Sequence, residues 1–222
     1  MKQLIQSLLL GTLCLFSNIN HACPAGAVPD LYQVKKVLIQ YHDDGRYEKE
    51  IAAVDKEAQH YIAARISQRK PQEKLAIVLD IDDTSLSNYP DMVAMGFGGT
   101  LKQINEAMNK GTDPVIQPTL ALYQFAKKNH IAVFFITGRY ESQREITEKN
   151  LTQVGFQHWD GLIFKAEDYH KASVIPYKSS ARKALEADGY TIIASIGDQL
   201  SDLAGGYAEK GFKLPNPYYF LP

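Results

Sequence analysis

Apolar residues in this chain fall into two rhythms. At 75–79, 131–136, 161–164 and 190–196 they form short, nearly unbroken runs, each ended by polar residues or glycine. Such runs, rich in β-branched and aromatic residues, predict strands buried on both faces. A weaker run at 211–214 predicts a last edge strand. Elsewhere the apolar residues recur every three or four positions. Tyr47, Ile51, Val54, Ala58, Ile62 and Ile66 form one stripe, with Lys and Glu opposite and Pro71 beyond. That predicts a helix over 46–69. Helices are also predicted over 101–108, 120–129, 141–153 and 179–187. Strands alternating with helices predict a parallel sheet, in a three-layer α/β/α fold. Glycines and prolines punctuate 85–118 heavily. So long a connection predicts an insertion over the end of the first strand, a candidate cap or lid.

Composition changes this picture little. A chain of 222 residues that is 45% hydrophobic and 22% charged is expected to form one ordinary globular domain. A net charge of −1 gives no reason to expect a nucleic acid or an anionic membrane as partner. The first residues differ from the rest. Lys2 precedes a short apolar stretch from Leu4 to Phe16, and small residues follow at Ala25-Gly26-Ala27. This is the pattern of a secretory signal peptide over 1–27, too short for a membrane span. Cleavage after Ala22 and a buried N-terminal helix are the competing readings. Both cysteines, Cys14 and Cys23, lie in this segment. Cleavage after Ala27 leaves 28–222 with no disulfide and no thiol chemistry. Asn20-His21-Ala22 lacks the aliphatic residue of a lipid-anchor signal, so the expected location is periplasmic or secreted, without a lipid anchor or a stable membrane span.

The chemistry gathers where strands end. The first strand runs into Asp80, Asp82 and Asp83. Two like charges about 4 Å apart repel by roughly 4 kcal/mol at an effective dielectric of 20. Either a proton or a hard cation such as Mg²⁺ is needed among them. A turn and helix cap is the plainer alternative. The second strand ends at Thr137, Gly138 and Arg139, the fourth at Asp198, Ser201 and Asp202. A parallel sheet brings such ends to one edge, where ligands bind. Carboxylates from strands one and four could share a metal, the hydroxyl and N–H groups of strand two could hold an anion, and Lys178, expected just before a helix, could neutralise it. That is equipment for phosphoryl transfer.

Four segments carry a family resemblance. Asp80-Ile81-Asp82-Asp83-Thr84, Ile136-Thr137-Gly138-Arg139, Tyr177-Lys178-Ser179-Ser180-Ala181-Arg182 and Gly197-Asp198-Gln199-Leu200-Ser201-Asp202 resemble, in order, the four motifs of the haloacid dehalogenase (HAD) superfamily. The wider match, about 46 to 215, resembles its subfamily IIIB acid phosphatases, bacterial class C-type and plant vegetative-storage-protein-like. The resemblance implies a HAD-like Rossmannoid fold with a small cap, and a Mg²⁺-dependent phosphatase of small phosphomonoesters, which the signal segment leads us to expect outside the cytoplasm. It implies that Asp80 attacks phosphorus and that Asp82 serves as general acid and then base. Asp80, the carbonyl of Asp82 and Asp198 would hold Mg²⁺. Thr137 and Gly138 would bind the phosphoryl oxygens, with Lys178 beside them, and Ser201 and Asp202 would orient Lys178 or metal-bound water. Asp83 is expected to cap the following turn. Arg139 and Arg182 are read as supports, or as surface or ion-pair residues. Tyr89 and Phe97 are read as core residues, with stacking on an aromatic leaving group as the alternative. The five histidines after residue 40 match no motif. A storage or binding protein on the same fold, and a phosphotransferase, are the competing functions.

Overall fold

The computed structural model describes residues 28–221. The predicted signal segment, 1–27, lies outside them. Strand β1 (Lys74–Leu79) sits at the middle of the sheet. Its side chains alternate between faces, as in any strand. Leu75, Ile77 and Leu79 join one apolar cluster, and Ala76 and Val78 join the other. The run has no polar interruption because neither face meets water. Each buried Leu or Ile contributes about 2 kcal/mol on leaving water.

β2 (Ala132–Tyr140) and β4 (Tyr190–Gly197) flank β1, and β3 (Gly161–Lys165) and β5 (Lys210–Lys213) form the edges. All neighbours are parallel, in the order β3-β2-β1-β4-β5. Helices α2 (Arg46–Ser67) and α5 (Gln117–Lys128) supply Ile51, Ile62, Leu122 and Ala126 to the larger cluster. Helix α7 (Ile175–Ala187) covers the other face through Ala181 and Leu185. The predicted three-layer α/β architecture is the one observed.

Several local features differ from the sequence reading. Helix α1 (Leu31–Asp43) precedes α2, opened by the Asp30 carboxylate, which accepts from the Gln33 N–H at 2.9 Å. It breaks from α2 at Gly45, whose φ of 78° suits glycine. Helix α7 begins ahead of the predicted 179, with Pro176 in its first turn, where a missing N–H costs nothing. Lys178 therefore lies inside the helix rather than before it. Strand β2 does not stop at Ile136. It runs through Thr137-Gly138-Arg139, because Tyr140 pairs again with Lys165 after a shift in register. The segment 141–153 divides into a 3₁₀ turn (Glu141–Gln143) and helix α6 (Arg144–Gln153). The insertion holds α3 (Tyr89–Ala94), which was not predicted, and α4 (Leu101–Met108), opened by a Thr100–Gln103 capping box.

Candidate active site

Asp80 follows β1 and keeps the parity of Ala76 and Val78, so it faces α7. Its N–H donates to the carbonyl of Ile196 in β4 at 3.0 Å. Its carboxylate accepts from Lys178 Nζ at 2.7 Å, and the same ammonium donates to Asp202. All three groups are buried. Arg182, one turn after Lys178, is buried as well. It donates to the carbonyls of Asp202 (2.8 Å), Gly206 (2.9 Å) and Ala204, and so anchors the turn that carries Asp202. Its surface reading is thereby overturned. A Cβ on Gly197 would collide with the Asp202 side chain, so glycine lets the end of β4 approach that carboxylate.

Asp198 is held by three side chains through four hydrogen bonds. Thr84 Oγ1 donates to it at 3.3 Å and accepts its N–H at 3.1 Å. The side-chain amides of Gln199 and Asn216 each donate to its other oxygen at 2.6 Å. One carboxylate oxygen from each of Asp80, Asp198 and Asp202 lies within 4.8 Å of the others. Three carboxylates against the Lys178 ammonium leave two negative charges, the complement of a divalent cation with oxygen ligands.

The Asp82 carboxylate is not in that group. Arg139 donates to it from Nε and Nη2, and Asn88 donates at 3.1 Å. Arg139 is fully buried and also pairs with Asp113 at 2.8 Å, so it is an ion-pair residue and not a surface one. Asp83 is buried with a φ of 48°, and its carboxylate accepts the Asn88 N–H at 2.9 Å, just ahead of α3. Thr137 is buried, its hydroxyl accepting the Arg139 N–H at 3.1 Å.

Burial, then the charge of Asp202, pushes the Asp80 carboxyl well above the usual range, against the pull of Lys178. The same two causes raise Asp198 to about 6. Burial works against the charge on Lys178, but Asp202 and Asp80 more than offset it and hold the ammonium above the ordinary lysine range. Burial likewise works against Asp82, and Arg139 more than reverses it, leaving that carboxyl below the ordinary range.

These groups floor a cavity of about 360 Å³, walled on its far side by α3 and α4 of the insertion. Asp80, Asp82, Gly138, Lys178, Asp198 and Ser201 line it; Thr137 and Asp202 lie behind the lining. Among the described residues, no histidine lines it. Tyr89 and Phe97 are outside it, packed on Tyr218 with ring centroids 5.5 and 5.7 Å away, which is the core reading rather than a stacking platform.

Residues 18–222 match the family described as HAD superfamily, subfamily IIIB (Acid phosphatase). The chain belongs to this family. It is a phosphomonoesterase of the HAD acid phosphatases. Acid phosphatase 1 of Solanum lycopersicum is 32% identical across 99% of this chain and 86% of its own length. Vegetative storage protein 1 of Arabidopsis thaliana is 33% identical across 80% of this chain and 66% of its own. The class C acid phosphatase of Bacillus anthracis has the same fold, with a TM-score of 0.71 at 21% identity over 86% of each chain. Among the described residues of this phosphatase, no helix is long and apolar enough to cross a membrane.

Sequence reasoning gave no role to Thr84, Asn88, Asp113 or Asn216. Thr84 stands in the first motif and could have been questioned. Asn216 sits in the Pro-rich tail and carries no local signal.

Proposed function

We propose that this acid phosphatase hydrolyses small phosphomonoesters through an aspartyl-phosphate on Asp80. The observation that carries the reading is the Asp80 carboxylate paired with Lys178 and grouped with those of Asp198 and Asp202. The ester's phosphorus sits in line with the Asp80 carboxylate, and Gly138 and the backbone of Thr137 hold its oxygens. Lys178 takes up negative charge as the P–O bond breaks. The charge of the bound phosphoryl group opposes the pull of Arg139 and lets Asp82 carry a proton, which it gives to the departing alcohol before taking one from the water that attacks the aspartyl-phosphate.

The residues fit a divalent metal, and Mg²⁺ is the ion we assign. Asp80, Asp198 and the carbonyl of Asp82 would hold it, with Ser201 and Asp202 supporting the surroundings. When bound, it neutralises the phosphoryl charge and aligns it. Without a cation, the two excess charges repel an anionic substrate.

In this reading residues 1–27 are a signal peptide, 28–222 form one phosphatase domain with a cap near 85–118, and the enzyme works in the periplasm or outside the cell. Lys2, the apolar stretch after it and the small residues before Val28 support the export.

The test is hydrolysis of an aryl phosphate by residues 28–222 from about pH 5 to 8, with Mg²⁺ or a chelator. Activity is expected with the metal and lost with the chelator or in Asp80→Asn. A folded Asp80→Asn enzyme with normal turnover overturns the reading.

A further inference from the structure

The far wall of the cavity says what the leaving group is. Met92 of α3, Met95 just after it, and Ile104 and Met108 of α4 line it, and Val174 and Leu221 stand across from them. Several of the polar groups among them are already engaged, and apolar side chains make up most of the wall. Asp91 accepts from Lys110 Nζ at 2.7 Å. Gln143 accepts the Tyr140 N–H at 3.0 Å and donates to Asn109 at 3.3 Å. The Lys165 ammonium lies 3.9 Å from the centroid of the Tyr140 ring, which occupies that face against stacking. The Asn88 amide is engaged with Asp82.

A sugar or a nucleobase seated here would surrender hydrogen bonds to water and find few in return. A hydrocarbon surrenders none. The three methionines are unbranched and adaptable, so they can close around chains of different length.

We propose that the preferred substrates are monophosphates of aliphatic alcohols, alkyl or isoprenoid, with the chain lying between α3, α4 and the residues opposite. This rests on the phosphomonoesterase reading and narrows it to a substrate class. The P–O bond to the alcohol breaks, the alcohol leaves with a proton from Asp82, and water supplies the oxygen that completes inorganic phosphate. No other reactant is needed.

The experiment compares kcat/KM for straight-chain primary alkyl phosphates from ethyl to octyl, with Mg²⁺. Their alcohols have nearly equal acidity, so the chemistry is constant and chain length reads the cavity alone. Each added methylene is expected to raise kcat/KM about three- to fourfold until the cavity fills. Octyl phosphate should exceed a nucleoside 5′-monophosphate and a hexose phosphate by about tenfold or more. Ile104→Asn should flatten the chain-length slope. A flat or falling series, a faster nucleotide or hexose phosphate, or an unchanged slope in Ile104→Asn overturns the proposal. Nitrophenyl phosphate separates the two failures. If it is turned over while the series is flat, only the aliphatic assignment falls. If neither it nor any alkyl ester is turned over, the phosphatase mechanism falls and the assignment with it.

Discussion

Arg139 grips Asp82 through two donors, Nε at 3.1 Å and Nη2 at 2.8 Å. Its other contacts fix the guanidinium in place. Nη2 also reaches Asp113 at 2.8 Å, and Nη1 reaches Thr147 at 3.2 Å. Asp113 in turn is clamped through its backbone by the Asn150 side chain, at 2.9 and 3.0 Å. The carboxylate proposed to protonate the leaving group is therefore aimed by a cation seated on the base of the insertion. A bidentate pair of this kind holds orientation as well as charge.

Weakening that seat should show in the leaving group. Asp113→Asn keeps the shape but removes one charge from Arg139. For alkyl phosphates, whose alcohol needs a proton to depart, kcat should fall by about 10- to 100-fold. For nitrophenyl phosphate, which leaves readily without one, the fall should be about threefold or less. Steady-state kinetics on the two esters, with a thermal melt to check folding, measure this. Equal losses on both would mean that Asp113 serves only stability.

Gly197 makes a separate prediction. Its φ is unremarkable, but a Cβ there would collide with Asp202. Gly197→Ala must displace that side chain or the end of β4, at a cost of about 1–3 kcal/mol in stability. Because Asp202 holds Lys178, turnover should fall about tenfold or more beyond what unfolding explains. Denaturant titration and kcat on the same preparation separate the two effects.

Asp198 ties stability to both pH and metal. Burial and Asp202 raise its carboxyl to about 6, from an unfolded value near 3.8. Between those values the folded chain holds a proton that the unfolded chain has released. Without metal, this group's contribution is therefore fully present below about pH 3.8 and is lost as pH rises to about 6. The loss amounts to up to about 3 kcal/mol. In a chelator, Asp198→Asn should thus gain on the native enzyme as pH rises from about 4 to 7. Saturating Mg²⁺ should reverse the order, since a ligand at 100 times its Kd adds about 2.7 kcal/mol to the form that binds it. Thermal or urea unfolding at the two pH values, with and without metal, tests both halves. An order that metal does not reverse would remove Asp198 from the metal site.

What the sequence made legible follows from where each signal lives. β1 was readable because burial on both faces leaves an unbroken apolar run from Leu75 to Leu79. Asp80 and Asp198 were readable as candidates because each follows a buried strand, and Lys178, inside α7, because it stands in the third of the four motifs. Other features depend on tertiary packing. Arg139 reads as an ordinary charge until Asp82 and Asp113 are brought to it from positions 57 and 26 residues away. Asn216 reaches Asp198 only because the chain after β5 folds back over the sheet edge. The reach of β2 past Ile136 depends on a second pairing with β3 that no local pattern announces. Helix α1 was legible and overlooked, with Asp30 as its cap and Val34, Leu38 and Tyr41 at helical spacing.

The covalent step through Asp80 is the centre of the account, and trapping it is the most direct test. The enzyme is turned over on an aryl phosphate with Mg²⁺, quenched in acid, treated with borohydride to reduce any acyl phosphate, and digested for mass spectrometry. The prediction is homoserine in place of aspartate at position 80, dependent on substrate and absent with a chelator. An unmodified Asp80 from enzyme quenched during rapid turnover, together with an active Asp80→Asn variant, would contradict it.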